Sequence, residues 1–259
     1  MKVSSTHRGP DFFILGGMKC GTTSLFNYLA QHSCIAPPRE KELHYYDIHR
    51  YRGVTLSQYT GWFPERGEAV LSGEGTPFYL SHPRCPEWIH QDFPRARFII
   101  VMRDPVERFW SHYKQYCKYR NFKGLAESLI EKELAVMDSI LTSISQDPDY
   151  PVDDLKLYSL LLRGRYAEQI ERWFQWFSRD RFLFLFTRDL MSQRARVVRQ
   201  TLEFLELTTT EQLPIETLHH TQEYDPMPPD LRTFLEQYYA PCDAALATLL
   251  NIRLPWTET

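Results

Sequence analysis

The segment Gly16-Gly17-Met18-Lys19-Cys20-Gly21-Thr22-Thr23 concentrates groups that hold an anion. It follows the apolar residues FFIL at 12–15 and precedes TTSLFNYLAQ at 22–31, so it reads as a glycine-bearing turn between a strand and a helix. Such a turn gathers backbone N–H groups at a helix N-terminus, where phosphate or sulfate is attracted. Lys19 adds a point charge, and the hydroxyls of Thr22, Thr23 and Ser24 add hydrogen-bond donors. The plain alternative is a solvent-exposed turn with an incidental lysine.

The segment nearly fits the loop that binds nucleoside triphosphates: glycine, four residues, glycine, lysine, then serine or threonine. Gly16, Gly21 and Thr23 match, but Thr22 stands where that loop carries its lysine, and the lysine lies at 19. A cation there approaches an anion from the turn and not from the helix start, which argues against an ordinary ATPase or kinase. A second positive candidate, Arg103, follows the apolar run RFIIVM, at the edge where open parallel sheets bind ligands. Ser111 lies two helical turns further on, so both can address one phosphate, with Arg108 and Lys114 as alternatives. Surface pairing of Arg103 with Asp104 or Glu107 explains that arginine equally well. The stretch EKELHYYD at 40–47 is dense in ionisable groups, and in an extended segment Glu42 and His44 share one side. A pairing of Glu42 with Lys41 or with a helix end is the alternative there.

These groups need a scaffold. Residues 12–17, 97–102 and 181–186 read as buried strands. Helices are expected over 22–31, 105–119, 125–145, 153–162, 165–177, 189–206 and 230–250. Thr22 or Thr23 can cap the first, and Asp104 with Pro105 opens the second. Residues 33–95 are rich in Pro, Gly and Tyr and read as short helices and loops; 210–229 read as irregular. Strands separated by long helical sections imply an α/β fold: an open, mostly parallel sheet with helices on both faces. No repeat or linker divides residues 1–259, so one domain is expected.

Of 259 residues, 43% are hydrophobic, which suffices for a buried core, and 24% are charged. The formal net charge of -3 gives no overall basic field for nucleic acid, although a local basic pocket for a small anion is compatible with it. No apolar run is long enough for a membrane span, and residues 1–10 lack the apolar core of a secretion signal. Five widely spaced cysteines point to reduced thiols and a cytoplasmic setting.

With these residues in view, the sequence resembles the sulfotransferase superfamily. FILGGMKCGTTSL, from Phe13 to Leu25, resembles its 5'-phosphosulfate loop, and IIVMRDPVERFWSHY, from Ile99 to Tyr113, resembles its 3'-phosphate segment. KELHYYD at 41–47, GEGTPFYL at 73–80 and RGRYAEQIERW at 163–173 are similar to segments of the branch containing heparan sulfate sulfotransferases and related bacterial enzymes. The resemblance implies a P-loop-like fold and 3'-phosphoadenosine-5'-phosphosulfate (PAPS) as donor, leaving adenosine 3',5'-bisphosphate (PAP) as product. It implies that Lys19 contacts the phosphosulfate, that Cys20, Gly21, Thr22, Thr23 and Ser24 hold the 5'-phosphate, and that Arg103 and Ser111 bind the 3'-phosphate. It maps a catalytic base onto Glu42, with His44 as base or hydrogen-bond partner.

The family pattern places a lysine where Gly75 stands, so the acceptor geometry is expected to differ and a glycosaminoglycan assignment is weakened. Tyr166 is open between a contact to acceptor or nucleotide and a core or surface aromatic. Residues 217–229, TLHHTQEYDPMPP, are expected to cover the adenosine; their two histidines come with no third ligand, and no metal is expected. The expected reaction is in-line sulfuryl transfer to a hydroxyl, less readily an amine, of a carbohydrate or small natural product. Residues 33–95 form the acceptor side of this scheme. A nucleotide kinase or hydrolase and a noncatalytic nucleotide-binding protein of the same fold are the rivals. No nucleic acid or membrane partner is expected, and no oligomeric state is set.

Overall fold

A computed structural model describes residues 9–67, 70–147, 149–207 and 225–257. Four parallel strands among these residues form one sheet: β1 (Phe12–Ile14), β2 (Gly73–Glu74), β3 (Arg97–Met102) and β4 (Phe182–Phe186), in the order β2-β1-β3-β4. The continuous apolar run makes β3 the central strand. Phe98, Ile99, Ile100, Val101 and Met102 are all fully buried, so both faces of the sheet are covered, as a parallel sheet requires.

The helices are α1 (Thr22–Leu29), α2 (Leu56–Thr60), α3 (Phe78–Ser81), α4 (Cys85–Asp92), α5 (Pro105–Arg120), α6 (Ala126–Gln146), α7 (Asp153–Leu157), α8 (Tyr166–Phe174), α9 (Thr187–Ser192), α10 (Arg194–Phe204) and α11 (Pro229–Leu250). Aromatic rings weld helices to sheet: Phe98 stacks on Phe13 and Phe182 and meets Trp173 of α8. A second apolar cluster joins α5, α6 and α11 through Phe109, Ile130 and Leu235.

The sequence-based expectations hold for β3, β4, α5, α6 and α11, and Asp104 caps α5 by accepting the Val106 N–H at 2.8 Å. Others are corrected. α1 is capped by Gly21 in the left-handed region, with no side-chain cap, and Thr22 is already helical. The helix expected over 153–162 stops at Leu157, and the one expected over 189–206 is two helices broken at Gln193. The edge strand β2 lies inside the section read as loops.

Glu74, at the end of β2, is fully buried and holds this section in place. It accepts hydrogen bonds from Tyr59 Oη at 2.5 Å, Thr76 Oγ1 at 2.7 Å and the Leu43 backbone N–H at 3.2 Å. Burial pushes its carboxyl up to about 7, against the pull of those donors. Glu74→Ala leaves three buried donors without their acceptor. It should lower the unfolding free energy by about 3 kcal/mol or more, at roughly 1–3 kcal/mol per orphaned group, read from urea midpoints at constant slope. An unchanged midpoint would show that Glu74 pins nothing.

Candidate active site

All four strands run the same way, so the segments that follow them share one sheet edge. After β1 comes the first turn. Gly21 sits at φ 94°, a conformation that suits glycine, and starts α1. A Cβ on Gly17 would stand 2.7 Å from Cys20 Sγ, so the turn is too tight for a side chain there. Lys19 adopts φ 73°. Among the described residues, five non-glycine residues have positive φ; Asn121, Glu206 and Asn251 lie at or just past helix C-termini, where this is common. The other two are Lys19 and His44, both candidate catalytic residues, each held at a backbone cost of roughly 1–3 kcal/mol.

The turns after β1 and β3 are tied together. Tyr166, fully buried, donates through Oη to the Arg103 carbonyl at 3.0 Å and lies 3.4 Å from Cys20 Sγ. Thr187, just after β4, donates to the carbonyls of Cys20 at 2.8 Å and Met102 at 3.1 Å. Arg103 Nη1 reaches the Lys19 carbonyl at 3.5 Å. Burial and the nearby Arg103 charge both hold the Lys19 amine below its ordinary value. Two cations therefore share this edge.

Thr22 is buried, Ser24 half-buried and Thr23 exposed. The Cys20 thiol is buried away from solvent and its N–H is spent on the Gly17 carbonyl at 3.1 Å. Ser111 is buried on α5, as is Arg108, whose Nε has no hydrogen-bond partner among the described residues. Beside Arg103 opens a cleft of about 280 Å³, walled by Met102, Phe186, Met191 and Trp256.

The ionisable segment 40–47 meets this edge through Lys41. Lys41 Nζ lies 3.3 Å from Thr22 Oγ1 and 2.5 Å from Glu42 Oε1. His44 places Nε2 3.5 Å from Glu42 Oε2 and Nδ1 3.0 Å from Asp47 Oδ2. Asp47 is fully buried and also takes Lys156 Nζ at 3.0 Å. Burial opposes charge on His44, but the two carboxylates win and raise it to about 9. Burial likewise opposes charge on Glu42; its hydrogen bond with His44 and the Lys41 charge outweigh that and hold it below the ordinary value. Glu42 is thus an anion, and His44 a cation, at neutral pH.

The structure brings Lys19, Thr22, Arg103, Glu42 and His44 to the same side of the sheet. Tyr166 resolves as a buried tie between two turns. The sequence reading assigned no role to Asp47, Lys156 or Thr187, whose contacts cross long sequence distances; the motif-like density of 40–47 was the available signal for Asp47. The space at Gly75 is covered by the Lys41 side chain, and the Gly75 N–H donates to the Lys41 carbonyl at 2.9 Å. Among the described residues no cluster of His, Cys, Asp and Glu could hold a metal, and no helix is long and apolar enough to cross a membrane. His219 and His220, with most of the segment expected over the adenosine, lie outside the described residues.

The family model of the sulfotransferase domain matches residues 9–227. The membrane-associated sulfotransferase kil1 of Dictyostelium discoideum is 23% identical over 95% of this chain and 66% of its own length. Heparan sulfate glucosamine 3-O-sulfotransferase 6 of Mus musculus is 30% identical over 77% of this chain and 53% of its own. The chain thus spans about half to two thirds of these relatives. Among solved structures, a sulfotransferase from Alicyclobacillus acidocaldarius superposes with a TM-score of 0.78 at 26% identity, covering 96% of this chain and 98% of that one.

The His44 charge has a consequence for stability. Its value is about 9 here against an ordinary 6.5, so folding favours the protonated form. That stabilisation is complete below about pH 6.5 and is lost as pH rises through about 9. His44→Asn keeps a residue that tolerates the left-handed backbone but cannot titrate. Urea midpoints should show the variant less stable at pH 6, with the gap to the parent closing by pH 10. A constant gap would mean that His44 is not charged in the folded protein.

Proposed function

Because this chain belongs to the sulfotransferase domain family, we propose that it transfers a sulfuryl group from PAPS to a hydroxyl, less readily an amine, of a carbohydrate or small natural product. One observation carries this reading: Lys41 joins the anion-binding turn at Thr22 to the carboxylate of Glu42, so donor and acceptor chemistry meet within one ion pair.

The residues fit the donor. The tight turn at Gly17 and the cations Lys19 and Arg103 suit a molecule with phosphate groups at two positions. In this reading Lys19 and the start of α1 hold the phosphosulfate end, with Cys20 and Gly21 shaping the turn and Thr22, Thr23 and Ser24 lining it. Arg103 and Ser111 hold the 3'-phosphate, and the apolar cleft beside Arg103 takes the purine.

PAPS supplies an activated sulfuryl group. The acceptor oxygen forms a bond to sulfur as the bond from sulfur to the phosphate oxygen breaks, its electron pair leaving with PAP. Glu42 takes the acceptor proton. His44, protonated and anchored by Asp47, aims Glu42 and does not itself act as base at neutral pH. Lys19 stabilises the charge that develops on the leaving oxygen. The five unpaired cysteines suit a reducing cytoplasmic setting.

Transfer of labelled sulfate from PAPS to a panel of sugars, phenols and small alcohols, read by product mass, tests the reaction. Lys19→Ala should cut turnover by roughly 100-fold or more, the scale of losing one good electrostatic donor, and Glu42→Gln should cut it on a similar scale. An unchanged Lys19→Ala enzyme would remove Lys19 from the mechanism. Mg²⁺-dependent ATP turnover in place of sulfate transfer would favour the kinase alternative, and donor binding without transfer to any acceptor the noncatalytic one.

A further inference from the structure

Lys41 is packed for a task that pairing with Glu42 alone does not require. Its side chain is only 13% exposed, and burial lowers its amine while the Glu42 and Glu74 charges raise it. A lysine serving as a counter-ion to a neighbouring carboxylate can do so from solvent at little cost. This one instead runs inward over Gly75 to place Nζ on Thr22 Oγ1. A Cβ at position 75 would stand 3.2 Å from Lys41 Cε and 3.7 Å from Cγ, so the inward path is open because residue 75 lacks a side chain. The backbone adds to the arrangement, with the Gly75 N–H bonded to the Lys41 carbonyl at 2.9 Å.

The geometry points to Lys41 as a second catalytic cation, a group that donates to the non-bridging oxygens of the sulfuryl group, with Gly75 as the space that admits it. This rests on the donor reading above. Nζ stands between the turn that takes the phosphosulfate and the carboxylate that takes the acceptor proton, where the sulfuryl group must pass. Glu42 Oε1 is held by Lys41 and Oε2 faces His44, so both oxygens have cationic partners before substrate arrives. As Lys41 turns to the sulfuryl oxygens, Glu42 Oε1 is released to accept the acceptor hydroxyl. Donor binding thereby switches on the base. The bonds made and broken are those of the proposed transfer, and Lys41 keeps its proton throughout.

The test compares affinities for PAPS and PAP, which differ by the sulfuryl group, by calorimetry and without any acceptor. Lys41→Met keeps the volume and removes the charge. It should weaken PAPS binding by about 10-fold or more, the range for a lost charged hydrogen bond, and leave PAP binding nearly unchanged, which also reports an intact fold. Gly75→Ala should weaken PAPS selectively by crowding the Lys41 stem. Lys41→Met with Gly75→Lys should recover much of the PAPS affinity, because the amine returns from the neighbouring backbone. Equal loss for both nucleotides, or loss for neither, would overturn the role of Lys41 and reduce it to a counter-ion of Glu42. Should Lys41→Met not fold, Gly75→Ala with equal PAPS and PAP effects would overturn it as well. A parent protein that binds neither nucleotide would instead defeat the donor reading itself.

Discussion

Like charges held close together at a partly buried edge set the terms for this molecule. Lys19 and Arg103 sit on turns that follow adjacent parallel strands, and Tyr166 and Thr187 fasten those turns through hydrogen bonds to Arg103, Cys20 and Met102. Burial raises the cost of charging Lys19, and repulsion from Arg103 adds to it. Arg103 Nη2 also lies 3.9 Å from Glu107 Oε2, which offsets part of that repulsion within the chain, and a bound anion would offset more of it. Electrostatic catalysis uses the same economy: the charges are fixed before the reaction, so little reorganisation remains when negative charge moves onto the leaving oxygen.

The acidic side is arranged in the opposite sense. Asp47 and Glu42 enclose His44, Asp47 also meets Lys156, and Lys41 spans the gap to Thr22. Charges alternate from Lys156 through Asp47, His44 and Glu42 to Lys41, so each neighbour stabilises the next. Glu74 holds the backbone of Leu43 and the hydroxyl of Thr76, and Thr76 Oγ1 in turn accepts the His44 N–H at 3.3 Å. The left-handed backbone of His44 is therefore braced from β2 as well as from its own side chain.

How much of this was legible in the sequence follows from how local each feature is. RFIIVM announced a buried strand because every residue is apolar, and the Asp104-Pro105 pair announced its helix because a cap acts within one turn. The first turn was legible for the same reason, except that its cap proved to be Gly21: the left-handed glycine ends the turn and Thr22 is already the first helical residue, so neither threonine stands at the cap position. β2 was not legible, since two residues carry no period. Nor was the Gln193 break, which interrupts an otherwise helical pattern. Lys41, Glu74, Lys156 and Thr187 gain their meaning from neighbours tens to more than a hundred positions away, and no spacing rule reaches that far. Gly75 reads in the sequence as the loss of a side chain; in the fold it is room for Lys41.

In the proposed reaction, two turns on one sheet edge hold the two phosphate-bearing ends of a single nucleotide. Calorimetric titration of the folded protein with PAP, set beside adenosine 5'-phosphate, tests it most directly. Saturable binding of PAP, clearly tighter than that of the singly phosphorylated nucleotide, is expected, with the difference vanishing in Arg103→Ala. No binding of PAP at millimolar concentration, or equal binding of the two nucleotides, would contradict it.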